Sequence, residues 1–338
     1  MSFFWDLLDL IGGLAMFLFG MSLMGEGLER RAGSNLKALL GRATAGRIRG
    51  FLLGAGATAA IQSSSAVTVM LIGFVNSGLM TLRQAIGVIM GANVGTTVTS
   101  WLLSLTGIRG GSFLLQLFKP TSFTALLALI GVWFYVFSKE NHRRINGLIL
   151  LGFTVLIYGM ERMSDAVKPL ADLPEFGEIL LVFGNPLFGV LAGAILTAII
   201  QSSSASIGIL QALAATGQVT FATAIPIIMG QNIGTCATTL LSTIGTGVNA
   251  KRTALAHLYF NLIGTLLILV GFYAFDWIFH FSFLSDPVNA FSVAAVHSFF
   301  NVFSAIILVP FASSLEKLVM ISLPERAKRH IQRPYNNR

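Results

Sequence analysis

The chain has 338 residues, 54% of them hydrophobic and 11% charged, with a mean hydropathy of +0.78. A soluble globular chain carries about 25% charged residues, so that class is excluded, and long apolar runs from end to end make a lipid bilayer the solvent. The net charge of +8 lies in the loops between those runs, which excludes nucleic acid as a partner, and the lone Cys236 excludes a disulfide framework or a cysteine-ligated metal.

In chain order, MSFFWDLLDLIGG has no basic n-region or small-residue cleavage site, so residues 3–25 are expected as a retained first span with Trp5 as an interfacial anchor. A basic loop follows at 26–50, in which Glu26 and Glu29 belong to a solvated amphipathic stretch. Residues 51–80 are predicted to be a helical hairpin broken at Gln62-Ser63-Ser64-Ser65-Ala66. Spans at 84–106, 112–137 and 145–161 come next, the first carrying GANVGTT, and Lys119-Pro120 reads as a snorkelling lysine beside a kink. An acidic loop, 161–186, leads to a second hairpin, 186–219, broken at Gln201-Ser202-Ser203-Ser204-Ala205. Spans at 221–245, carrying GQNIGTC, and at 253–279 and 288–312 complete the series, before a basic tail at 322–338.

Shifting the chain by 139 residues superimposes it on itself. Residues 53–66 match 192–205 at 10 of 14 positions, and 86–99 match 225–238 at 8 of 14. Duplications of this kind are common in transporters. Equivalent loops differ in sign: 26–50 holds six basic and two acidic residues, whereas 161–186 holds two basic and five acidic ones. The halves are therefore expected to face opposite sides of the membrane. If each hairpin returns to the side it came from, 18 Lys and Arg fall on one side and 3 on the other, Arg109 among the latter, a positive-inside split. The arm 51–61 would reach only about 16 Å, half of a ~30 Å hydrocarbon core, so each hairpin reads as re-entrant. The expectation is an all-α polytopic protein of two inverted-topology repeats, 1–139 and 140–280, followed by an extra helix at 281–321. It places the protein in the plasma (inner) membrane, with the N-terminus outside and the C-terminus cytoplasmic.

The polar tips define the chemistry. Serine is a strong N-cap, so Ser63, Ser64, Ser65, Ser202, Ser203 and Ser204 start helices whose free N–H groups and dipole ends suit a tetrahedral oxyanion. Gln62 and Gln201 offer amide oxygens for a small hard cation. In GANVGTT and GQNIGTC the glycines are expected to loosen the helix, freeing Asn93, Asn232, Thr96 and Thr235 to meet an ion. Neither motif holds an Asp, Glu, Lys or Arg, which favours Na⁺ coupling over a proton relay. A single such patch would more often be packing glue between helices, but its recurrence beside a second polar motif argues for a site.

The duplicated QSSS followed by G-x-N-[V/I]-G-T resembles the type II sodium-dependent phosphate cotransporters, specifically their bacterial branch, over about residues 10–310. That resemblance implies phosphate and sodium bound between the two tips. Phosphate is assigned to the six tip serines with Asn93 and Asn232, and sodium to Gln62, Gln201, Thr96, Thr235, Ser65 and Ser204. His257-Leu-Tyr-Phe-Asn261 and His297-Ser-Phe-Phe-Asn301 resemble the family's H-x-F-F-N segments, with interhelical bonding as their expected role. The first half reads LLQLFKPTSF where such a segment is expected. Leu258 and Ser298 stand where charge-moving animal members have Asp. The tail after 312 is too short for the PhoU-like domain of many bacterial relatives, so a form without it is expected. The reading is a Na⁺-coupled phosphate transporter, not an enzyme, with no cofactor beyond the coupling ion. Its partners are phosphate, sodium, the lipid bilayer and a second copy in a homodimer. The alternatives are a Na⁺-independent exporter or anion channel, or a phosphate sensor.

Overall fold

The structure is a computed structural model that describes residues 2–41, 46–107 and 120–324. Among these residues the regular structure is helical, apart from an isolated bridge between Thr220 and Pro287. In chain order the helices are α1 (Ser2–Gly41), α2 (Arg47–Ile61), α3 (Ser64–Asn76), α4 (Leu82–Ser104), α5 (Pro120–Val132), α6 (Asn141–Val167), α7 (Pro174–Gly184), α8 (Pro186–Ile200), α9 (Ser203–Ala214), α10 (Phe221–Leu241), α11 (Val248–Phe279), α12 (Ala290–Leu308) and α13 (Ala312–Ser322). Among the described residues, six helices are long and apolar enough to cross a membrane, and α7 with α8 form a further apolar pair bent by 102°.

Several boundaries differ from the sequence expectation. The loops at 26–50 and 161–186 are largely helical, because α1 continues to a kink at Gly33, where φ is positive, and a further helical stretch runs on to Gly41, α6 extends to Val167, and α7 fills 174–184. Hydropathy marks where lipid ends, whereas helical hydrogen bonding continues past that point. The first hairpin arm has 15 residues rather than 11, about 22 Å and still short of a ~30 Å core. The 281–321 segment holds two helices, α12 and α13, separated at Pro310. Of the expected 112–137 span, residues 112–119, with Lys119, lie outside the described residues, as do Arg109 and the tail beyond 324.

Glycine sets the packing. Gly13, Gly20 and Gly27 on α1 recur every seven residues, as do Gly152 and Gly159 on α6. A Cβ on Gly20 would lie 2.2 Å from Leu156 N, and one on Gly159 would lie 2.3 Å from Phe17 N. The same holds for Gly13 against Met163 and Gly152 against Met24. These contacts run antiparallel, and each maps onto its partner under the 139-residue shift. Small residues let backbones approach where lipid provides no hydrophobic drive for association.

The hairpin arms repeat the pattern. Gly54 and Gly91 seat α2 on α4, and Gly193 and Gly230 seat α8 on α10, with matching neighbours at every position. On α9, Gly208 makes room for the Phe17 ring, joining the α1–α6 pair to the second hairpin.

Both ends of the first hairpin lie at one end of the bundle. Arg47, at the start of α2, donates to Pro310 O at 3.3 Å and to Ser313 Oγ in the first turn of α13. Past the end of α3, Asn76 Oδ1 accepts from Gly247 N at 3.0 Å, just before α11. Arg252 on α11 reaches Leu323 O, which ties that turn to the end of α13. The second hairpin is anchored elsewhere: Val288 N donates to Val219 O, and Gln218 Nε2 to Ala171 O.

Candidate functional site

Each hairpin breaks in the same way. Gln62 has φ 62° and ψ 23°, and Gln201 has φ 59° and ψ 23°. Both are left-handed, and both donate their N–H, at 2.7 Å, to the carbonyl of Thr58 or Thr197 four residues back. The next residue is extended and caps the second arm: Ser63 Oγ accepts from Ala66 N at 3.1 Å, and Ser202 Oγ from Ala205 N at 3.2 Å. Ser64 and Ser65, like Ser203 and Ser204, then occupy the first helical turn, where backbone N–H groups have no intrahelical acceptor. The capping hydroxyls still hold a proton to donate, so each tip offers amides and hydroxyls to an anion.

A left-handed glutamine is costly where glycine would be easy. Among the described non-glycine residues, Gln62, Gln201 and His280 have positive φ. Gln62 Nε2 donates to Ala59 O at 2.5 Å, which leaves Gln62 Oε1 buried and without a partner. Thr58 Oγ1 and Thr197 Oγ1 are likewise buried and unpartnered, at equivalent positions one turn before each break. These oxygens are suited to a cation, since a buried acceptor left without a donor is expensive. The two threonines were not singled out from sequence, although they belong to the recurring residues of the 139-residue shift. We expect Gln62→Gly and Gln201→Gly to melt at or above the wild-type midpoint while losing function, the signature of a side chain kept for chemistry. A drop in midpoint, measured by melting in detergent, would make the glutamines structural.

The G-x-N-x-G-T stretches are not loosened. Helices α4 and α10 run unbroken through them. Their glycines instead admit the hairpin arms: a Cβ on Gly95 or Gly234 would lie 2.4 Å from Ala55 O or Ala194 O. Thr96 and Thr235 both donate back to the carbonyl four residues earlier, at 3.0 Å.

Asn93 meets α11 rather than a hydrogen-bond partner at the tip. Its Nδ2 donates to Asn261 Oδ1 at 2.7 Å, and its Oδ1 lies 3.3 Å from His257 Nε2. With Nε2–H donating to that amide oxygen, Nδ1 is left to pair with Thr239 Oγ1 at 3.1 Å.

The mirror contact comes from an unexpected helix. His297 Nδ1, on α12, lies 3.1 Å from Ser100 Oγ, and Ser100 is the counterpart of Thr239 under the 139-residue shift. Thus α12 stands to α4 as α11 stands to α10, and it supplies the His-x-x-x-Asn pair missing from the first repeat. The second network is nevertheless open. Asn232, the counterpart of Asn93, donates to Ile228 O on its own helix at 2.9 Å. His297 Nε2 and Asn301 Oδ1 are buried without partners.

The Na⁺/Pi-cotransporter family matches residues 16–165 and again residues 155–285. The chain belongs to that family. The two matches fall on the two halves of the 139-residue shift, so each repeat carries the family pattern separately. Among relatives, YqeW of Bacillus subtilis, an uncharacterized protein, is 29% identical over 93% of this chain and 97% of its own length. A protein named as the putative inorganic phosphate export protein YjbB of Salmonella typhimurium is 28% identical over 92% of this chain and 54% of its own length. The chain therefore spans about half of that relative. The rat sodium-dependent phosphate transport protein 2A is 32% identical over 36% of this chain and 20% of its own length. No solved structure matches.

Proposed function

We propose that the protein is a sodium-coupled inorganic phosphate transporter of two inverted repeats that works by alternating access. Phosphate would be held by the amides and hydroxyls of Ser63–Ser65 and Ser202–Ser204, and sodium by oxygens of Gln62, Gln201, Thr58 and Thr197. The observation that carries this reading is the shared tip geometry: a left-handed glutamine and a serine N-cap, reproduced 139 residues apart to within about 10°.

Inversion is supported by the antiparallel α1–α6 contact, in which equivalent residues face one another. A two-fold axis relating two such helices lies across them, hence in the membrane plane. Re-entrance is supported by the anchoring of both ends of the first hairpin at one end of the bundle, Arg47 beside Pro310 and Ser313, and Asn76 beside Gly247. Asn93 and Asn232 then act through the histidine networks, as positioning residues rather than ligands. The basic loops set the C-terminus on the cytoplasmic side.

The test is uptake of labelled phosphate into proteoliposomes with and without an inward Na⁺ gradient. Uptake should require the gradient and fall at least about tenfold in Gln62→Ala and in Gln201→Ala, the loss expected of one ligand contact worth about 1.4 kcal/mol. Uptake indifferent to both sodium and the substitutions would overturn the reading. The second reading, export, is favoured by the name of the YjbB relatives. It predicts loss of preloaded phosphate from the same vesicles without any sodium requirement.

A further inference from the structure

Two adjoining cavities open on the outer flank of the bundle, away from the tips. One, of about 610 Å³, has Arg47 and Arg49 at its rim. The other, of about 380 Å³, is apolar and lies between α2, α4 and α12, with Phe51, Val94 and Ile306 in its wall. They share Ile48, Val309 and Pro310, so together they form one cleft with a cationic mouth and a greasy slot.

The mouth is held open by the fold. Pro310 breaks the chain between α12 and α13, and Arg47 is fixed across that break by Pro310 O and Ser313 Oγ. Arg49 is exposed and has no partner among the described residues. No carboxylate lines either cavity, and the nearby Glu316 faces Arg83 at 4.0 Å. The slot opens to lipid: Ile48 is 70% exposed and Ile306 64%. A cation pair at one end of a membrane-facing apolar slot matches a molecule with an anionic head and a hydrocarbon tail.

We propose that this cleft is a binding site for an anionic glycerophospholipid of the cytoplasmic leaflet. Its phosphate sits at the mouth lined by Arg47 and Arg49, and one acyl chain fills the slot against Ile306. The lipid thereby packs between α2, the first arm of a hairpin, and α12. The site is independent of the transported substrate, and rests on the helices being in a membrane and, for the choice of leaflet, on the orientation proposed above.

The experiment is native mass spectrometry of the full chain in detergent with phosphatidylglycerol or phosphatidylcholine of matched chains. Phosphatidylglycerol should be retained at least about fivefold more, and Arg49→Ala should remove about fivefold, the change one arginine near a charged surface carries. Ile306→Trp, which fills the slot, should lower retention of both lipids. Millimolar inorganic phosphate should displace neither. Equal retention of the two lipids, or retention unchanged by both substitutions, overturns the proposal. So does displacement by phosphate, which would make the mouth a free-oxyanion site. Loss of a dimer peak in Ile306→Trp would also overturn it, by assigning the surface to a second copy.

Discussion

Gly91→Leu and Gly230→Leu should each fail to give a folded, monodisperse protein, whereas Gly56→Leu should purify and melt like the wild type. A Cβ on Gly91 would lie 1.8 Å from Phe51 O, and one on Gly230 would lie 1.9 Å from Val190 O. Both obstacles are backbone, so no side-chain rotation relieves them and the whole hairpin arm must move off its scaffold helix. Overpacking a core with one or two methylenes typically costs about 1–3 kcal/mol, and a leucine here adds four carbons against main chain. Gly56 lies on the same arm but has nothing within 4 Å of its Cβ position, and its counterpart is Ile195, 57% exposed. Size-exclusion profiles in detergent, followed by thermal melting, decide the matter. A wild-type midpoint for Gly91→Leu would mean that α2 and α4 are not in contact as described.

The alanine versions grade the effect. Gly91→Ala and Gly230→Ala should fold but melt lower, because a single methyl still needs the arm to shift. The two should fall by similar amounts, since their surroundings are equivalent.

These glycines show where sequence reading succeeds and where it stops. The 139-residue shift identified both hairpin breaks, and the structure places a left-handed glutamine and a serine cap at each. Serine was legible as an N-cap because its preference is local. The glycines of GANVGTT and GQNIGTC were read as loosening the helix, which is their effect on an isolated helix. In a tightly packed bundle their lack of a side chain serves close approach instead, and only the position of the neighbouring helix reveals this.

His297 is a different kind of case. At the 139-residue shift, His257 aligns with position 118, so the first repeat seemed to lack its histidine segment. The structure brings α12, which follows the second repeat, against α4 in the place that α11 takes against α10. Such a substitution is invisible to a search for sequence periodicity, because the replacing helix lies outside the repeat. Ser100 and Thr239 were equivalent in the alignment, but neither carried a signal until each was found beside a histidine.

The two asparagine networks should respond unequally to the same substitution. Asn93→Ala removes the group that bridges His257 Nε2 and Asn261 Oδ1, leaving both buried at 0% and 2% exposure with one partner fewer. Stranding a buried polar group costs about 1–3 kcal/mol, so the melting midpoint should fall by several degrees. Asn232→Ala gives up only a bond to its own helix, to Ile228 O, and should melt close to the wild type. In transport the two should converge. If alternating access exchanges the environments of the repeats, Asn232 will close onto His297 and Asn301 as Asn93 releases His257 and Asn261, so each asparagine is needed once per cycle. Cys236, the only cysteine, reports the state of the first network, because Asn261 Nδ2 donates to its Sγ at 3.4 Å. Asn93→Ala should therefore raise the rate of maleimide labelling of Cys236 about tenfold, the factor for a local opening made easier by about 1.4 kcal/mol. Asn232→Ala should leave that rate unchanged while lowering uptake as much as Asn93→Ala does. Equal melting and labelling in the two variants would show that the asymmetry carries no energy, and uptake impaired in only one would show that the networks do not take turns.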